Sequence, residues 1–343
     1  MSWLEAVPTL DAELAQLIAH NYYGVRSHAR LLPSERDQNF LLTTESGERF
    51  VLKIANGREQ AVLLESQNQA MGHLAKRLSY CPQVVPTTSG EQITRIGTSP
   101  EDSHFVRLVT YLPGAPLGDL KEQSSELLCD IGEKLGRLDR ELTTFDHAAL
   151  HRDFHWDLVN GPCVVKNYGA LIPDPSLREL VVNCAEEFEA TLAPRSQKLR
   201  RSIIHGDPND YNVIIGPDDS GLQRVLGLID FGDMVYSYTI GDLAVAIAYA
   251  VLGKSDPIES ASWIVTGYAQ ECPLNEAEIE ALFVLVRMRL CMSVCLAAYQ
   301  QQQLPDNAYL DISQQAIRGT LPALVEIDSR EVTKAFRQAC HCF

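Results

Sequence analysis

The hydrophobic pattern of the chain changes period once. Before Pro113 the apolar runs are short and aliphatic or aromatic: residues 29–32, 39–43, 49–54, 84–86 and 105–112 read as strands, set apart by turn formers such as Ser46-Gly47. Two helices interrupt them. Residues 9–23 carry Leu10, Leu14, Leu17 and Ile18 at helical spacing, and residues 60–79 carry Leu64, Met71, Leu74, Ala75 and Leu78 in the same way. After Pro113-Gly114-Ala115-Pro116 the helical period dominates, over residues 124–142, 179–192, 238–252, 258–268, 276–302 and 311–327. The Pro-Gly break marks a boundary. It predicts a small sheet-rich unit, residues 1–110, and a larger helical one, residues 111–343.

One stretch of the second unit departs from the helical pattern. The run Ile203-Ile204 ends in His205-Gly206-Asp207-Pro208-Asn209-Asp210-Tyr211-Asn212. Val213-Ile214-Ile215 and residues 225–229 then flank a Gly/Pro/Asp-rich turn, the signature of a β-hairpin. A hairpin returns the chain to its starting end, so Asn212 and Asp230 should lie close together with Asp207 beside them. This set suits phosphoryl transfer. Asp207 would accept the proton of an attacking hydroxyl, and Asn212 and Asp230 would offer hard oxygen ligands to Mg²⁺. Any one of these residues is common in turns; the ordered set is what carries the expectation.

Composition narrows the partners. The chain has 343 residues, 45% hydrophobic and 22% charged, with a net charge of −16. Nucleic-acid binders carry the opposite sign. Residues 1–110 hold 10 basic and 12 acidic side chains, so almost all the excess negative charge falls in the second unit and favours a cationic small molecule there. The apolar region 281–299 is broken by Arg287 and Arg289, which argues for a buried helix and against a membrane span. Residues 1–10 lack the basic start and apolar run of a secretion signal, and the nine cysteines are scattered; both point to a reducing cytoplasm.

Other candidates follow in chain order. Ser34 and the backbone of residues 36–38 sit where a phosphate-covering loop would lie. Lys53, inside an apolar strand, would meet nucleotide phosphates, with Glu65 of the next helix as its ion-pair partner. Backbone groups of residues 110–112, from Thr110 to Leu112, would meet the purine edge. His151-Arg152-Asp153 imitates the catalytic loop of protein kinases but is rejected as the base: no Asn follows at the needed spacing before an apolar strand, and no Asp-Phe-Gly comes soon after. Trp156 and Asp157 pair an aromatic face with a carboxylate, a way to hold an ammonium group. Asp210 and Asp233 are further acidic candidates for the substrate, and Asp242 is read as a brace for the loop at 205–212. Cys340-His341-Cys342 has metal-ligand residue types without a second cluster at zinc-site spacing.

These residues resemble the aminoglycoside phosphotransferase family of small-molecule kinases. The likeness covers nearly the whole chain and is strongest in His205-Gly206-Asp207 with Asn212 and in Asp230-Phe231-Gly232-Asp233. Within that family Arg36-Asp37-Gln38-Asn39-Phe40, Glu65-Ser66-Gln67-Asn68 and His155-Trp156-Asp157-Leu158 are similar to the hydroxylysine kinase branch. The resemblance implies an α+β, bilobal protein-kinase-like fold with an antiparallel sheet in the small lobe. It also implies Asp207 as catalytic base, Asn212 and Asp230 as Mg²⁺ ligands, and GTP or ATP as donor. The implied acceptor is a small cationic hydroxyl compound such as 5-hydroxylysine, with aminoglycoside, homoserine or choline-type acceptors as alternatives.

Overall fold

The computed structural model describes residues 7–34, 36–97, 103–303 and 313–341. The chain divides into two units, Met1–Pro113 and Gly114–Phe343.

In the first unit α1 (Ala12–Tyr23) begins at Asp11, whose side chain caps the Leu14 N–H, and ends at Gly24 in the left-handed conformation. The strands β1 (Ser27–Leu32), β2 (Gln38–Thr44) and β3 (Arg49–Ile54) form an antiparallel meander. After α2 (Ala61–Leu74) come β4 (Val84–Val85), β5 (Thr94–Gly97) and β6 (Ser103–Thr110), giving the order β1-β2-β3-β6-β4 with β5 on the free part of β6. The period-two pattern sorts the faces. Leu52 and Ile54 join Phe40, Leu42, Val106 and Leu108 against Ala15, Ile18, Ala19 and Tyr23 of α1. The opposite face of β3 carries Lys53. Its cross-strand neighbour Arg107 is buried and donates to Gln67 Oε1 (2.8 Å) and Asn68 Oδ1 (3.0 Å) of α2.

The second unit opens with β7 (Ala115–Pro116) and α3 (Ser125–Leu142), followed by α4 (Gly161–Tyr168) and α5 (Pro175–Leu192). Next come β8 (Arg201–Ile204), the hairpin β9 (Val213–Pro217) and β10 (Gln223–Leu228), and β11 (Val235–Tyr238). Helices α6 (Gly241–Ala250), α7 (Pro257–Glu271), α8 (Glu276–Gln303), α9 (Gln314–Val325) and α10 (Ser329–Ala339) complete it. The hairpin pairs with β7, and β8 pairs with β11. Helix α8 is long and apolar enough to cross a membrane, but its apolar stretch is buried, a core helix packed by α4, α5, α6, α9 and α10.

Glycines set one contact of this unit. A methyl group on Gly132 of α3 would come 2.0 Å from the Ile264 carbonyl of α7, and one on Gly267 of α7 would come 1.8 Å from the Cys129 carbonyl of α3. The two helices therefore cross backbone to backbone, closer than any residue with a Cβ allows.

Three details differ from the sequence pattern. Residues 235–238, the first of which precede the expected helix 238–252, form β11, because the Val-Tyr-Ser-Tyr alternation finds a partner in β8; the helix starts only at Gly241. Strands β5 and β7 and helices α4 and α10 have no counterpart in the expected elements, although α10 buries Val332, Phe336 and Ala339 at helical spacing. In the tail, α10 ends at Ala339, and Cys342 lies outside the described residues.

Candidate active site

The loop after β8 is fixed from behind. Asp242, in the first turn of α6 and fully buried, accepts the His205 N–H on Oδ2 (2.8 Å) and the Gly206 N–H on Oδ1 (2.7 Å). The expectation that Asp242 braces the loop describes this contact. Gly206 has φ +87°, and a side chain there would strike the Asp233 carbonyl at 2.3 Å, so only glycine fits. The His205 ring sits 3.0 Å from the Ile229 carbonyl and edge-on to Phe231. With the backbone so held, the Asp207 carboxylate is left free for other partners.

Those partners come from three places. Asp207 Oδ2 accepts from the side-chain amides of Asn209 (2.9 Å) and Asn212 (3.0 Å). Asn209 Oδ1 in turn accepts the Tyr211 and Asn212 N–H groups, an Asx turn that shapes the loop. Asp207 Oδ1 accepts from Arg289 Nη2 of α8 at 2.5 Å. Across the hairpin, the Ile229 N–H donates to the Asn212 carbonyl (3.0 Å), which brings Asp230 beside Asn212. Asp230 has φ +66°, the one positive φ at a non-glycine among the described residues, and its Oδ1 accepts the Gly232 N–H. A left-handed aspartate costs about 1–2 kcal/mol, the kind of strain that collects at functional sites. Burial raises the Asp207 carboxyl above the usual carboxylate range. The Arg289 guanidinium opposes that rise, and Asp233 and Asp230 add to it.

Arg289 was legible only as an interruption of an apolar run. Its side chain is 2% exposed, and its guanidinium lies 4.2 Å over the Trp156 ring with Tyr249 on a further side. An arginine in the middle of a buried helix requires a counter-charge; that requirement was the signal available, and it did not say which carboxylate would answer it.

The remaining candidates separate into groups. Trp156 does present its face to a cation, but the cation in this structure is Arg289. Asp157 is turned to structure: it is buried, caps Val159 N–H, and accepts the Ser237 hydroxyl at 2.5 Å, while burial pushes its carboxyl up. Asp233 is buried beneath Gly206 and lines a small cavity with Trp156, Gly206 and Val245. Asp210 keeps one buried oxygen without a hydrogen-bond donor among the described residues and is pushed up to about 6 by burial. In the first unit, Lys53 is half-buried on β3, and Glu65 is exposed on α2; Gln67 and Asn68, not Glu65, reach the polar face of the sheet through Arg107. Ser34 is exposed in the loop after β1, Thr110 ends β6 with its Oγ1 accepting the Gln83 N–H, and Leu112 is half-buried just before the boundary.

The donor set suits a hard cation. Asn212 commits its amide nitrogen to Asp207, which leaves an amide oxygen, and Asp230 adds a carboxylate. Among the described residues there is no group of three or more His, Cys, Asp or Glu that could cage a metal. Two protein oxygens completed by phosphate oxygens and water is the pattern Mg²⁺ prefers.

The model of the phosphotransferase enzyme family matches residues 28–274. Hydroxylysine kinase of Danio rerio is 32% identical over 357 residues, covering 100% of this chain and 99% of that protein. Among solved structures, amicoumacin kinase in complex with AMP-PNP and Ca²⁺ superposes with a TM-score of 0.70 at 16% identity, over 94% of this chain and 97% of that one. A microcompartment-associated aminopropanol kinase gives 0.69 at 18% identity, over 96% and 95%. The fold is thus kinase-like. The chain belongs to the phosphotransferase enzyme family, as a kinase that phosphorylates a hydroxyl of a small molecule.

Proposed function

We propose that this enzyme transfers the γ-phosphoryl group of GTP or ATP to the side-chain hydroxyl of 5-hydroxylysine or a closely similar amino alcohol, in the cytoplasm, where its free cysteines stay reduced. The observation that carries the reading is the Asp207 cluster, set in a chain that aligns end to end with a hydroxylysine kinase. Asp207 orients the acceptor hydroxyl and takes its proton. Asn209 and Asn212 hold one carboxylate oxygen and Arg289 the other, so the base is fixed before substrate arrives, and catalysis rests on positioning and charge. Asn212 and Asp230 would hold Mg²⁺, which when bound neutralises charge on the donor phosphates. Lys53 is assigned to the phosphates, with Ser34, Thr110 and Leu112 as nucleotide contacts. Asp210 and Asp233 supply negative charge for the ammonium groups of the acceptor.

The test is nucleotide turnover with Mg²⁺, GTP and ATP in parallel, against 5-hydroxylysine, homoserine, choline, aminopropanol and an aminoglycoside. Turnover that depends on 5-hydroxylysine is the expected result. Turnover with another acceptor alone keeps the mechanism and removes the named substrate.

A further inference from the structure

Two carboxyl groups behind the catalytic loop take no part in the reaction as described. Asp242 is one, with both oxygens occupied by the His205 and Gly206 N–H groups. The other is Asp139, near the end of α3 and fully buried. Its Oδ2 accepts the Tyr268 hydroxyl at 2.6 Å. Its Oδ1 is buried and receives no donor among the described residues, and the Asp242 carboxyl is a further side chain within hydrogen-bonding reach of Asp139.

Two buried carboxylates in contact do not both ionise, because desolvation and mutual repulsion act together. One proton resolves the pair. Placed on Asp139 Oδ1, it converts an orphaned acceptor into a donor and gives Asp242 a third hydrogen bond. Placed on Asp242, it would weaken two backbone N–H bonds that are strongest to an ionised acceptor. The remaining groups that face Asp139 do not alter this choice. Tyr268 of α7 already donates to it, and Cys272, just after α7, acts on it in the same direction as Asp242. Beyond them Arg200, whose Nη1 lies 3.9 Å from Cys272 Sγ, is committed to Glu278 through contacts of 2.6 and 2.7 Å. Burial first, then the charge of Asp242, pushes the Asp139 carboxyl well above its usual range.

We propose that Asp139 is held as a neutral carboxylic acid whose proton is donated to Asp242, and that this shared proton positions the His205-Gly206-Asp207 loop. Asp139 is then a positioning residue, acting on the base through Asp242 and two backbone N–H groups. The chain of contacts runs from the α3–α7 crossing to Tyr268, Asp139, Asp242 and the loop. An ionised Asp139 would repel Asp242 and move the Asp207 carboxylate. Small displacements of that kind cost turnover far more than binding.

The role of the loop rests on the phosphotransferase reading, and the experiment has one arm that does not. Infrared difference spectra of the full chain at neutral pH, wild type minus Asp139→Asn, should show the carbonyl stretch of a protonated carboxylic acid; its absence overturns the proposal whether or not an acceptor has been found. In the kinetic arm, with whichever acceptor supports turnover, the side-chain amide introduced by Asp139→Asn replaces the donor while its carbonyl still serves Tyr268. That variant should keep kcat within about fivefold of wild type, the scale of one exchanged neutral hydrogen bond. Asp139→Ala should lose roughly a hundredfold in kcat with both KM values little changed. An Asn variant as impaired as the Ala variant, or an Ala variant with normal kcat, overturns the proposal. If the Ala variant does not fold, the infrared band and the Asn turnover decide.

Discussion

His151-Arg152-Asp153 and His205-Gly206-Asp207 read almost alike, yet the fold uses their atoms in opposite ways. In the first, every side chain is committed to holding structure. His151 lies 2.6 Å from Asp146 and stacks on Tyr236, Arg152 donates to the carbonyls of Gly232 and Met234, and Asp153 accepts the Asn160 amide. In the second, the backbone of His205 and Gly206 is given to Asp242, and the Asp207 carboxylate is left to face Asn209, Asn212 and Arg289. The two are not independent. Arg152 grips the carbonyls just past Asp230, so the first tripeptide supports a segment of the site whose proposed base lies in the second. A tripeptide acquires its role from the atoms that remain after folding has used its share.

That contrast is broken most directly by matched substitutions. Asp207→Asn should lower kcat on the order of a thousandfold, the range of a lost general base, with nucleotide affinity retained in a binding titration. Asp153→Asn, measured beside it, should keep turnover near wild type; equal losses would remove the distinction. Arg289→Met comes next. It removes the cation from a carboxylate near Asp233 and Asp230, so kcat should fall on the order of a hundredfold, with the KM for nucleotide nearly unchanged. Arg152→Ala should act less than either Asp207→Asn or Arg289→Met. Loss of its bonds to Gly232 and Met234 should raise the Mg²⁺ concentration for half-maximal activity by about tenfold. An effect on kcat alone would place Arg152 with the base and not with the metal segment.

What the sequence disclosed and what it withheld divide along range. The strands of the first unit and the long helices of the second follow from periodicity, and the hairpin's return explains why Asn212 and Asp230 meet. These are local facts, written within about thirty positions. Arg289 is 82 positions from Asp207, on a helix that is apolar all round, so no amphipathic face marked its direction. Its near neighbour Arg287 points elsewhere, to Glu187 of α5. Trp156 was recognisable as a seat for a cation, but which cation takes it depends on the packing of α8. Glu65 sits on a helix that the pattern did predict. What a propensity argument could not supply was which residues of that helix meet Arg107, where Gln67 and Asn68 accept from it.

The crossing of α3 and α7 has a consequence for anyone who reshapes this enzyme. With Gly132 and Gly267 each facing a carbonyl of the other helix, the pair behaves as one machined part with no clearance. A single added methyl group at either position forces the axes apart, and Tyr268, one residue beyond Gly267, is carried away from Asp139. A mutational map scored on activity would therefore show intolerance at two small, buried, chemically inert positions as well as at Asp207. Circular permutation, fusion or consensus repair should leave both helices from one parent.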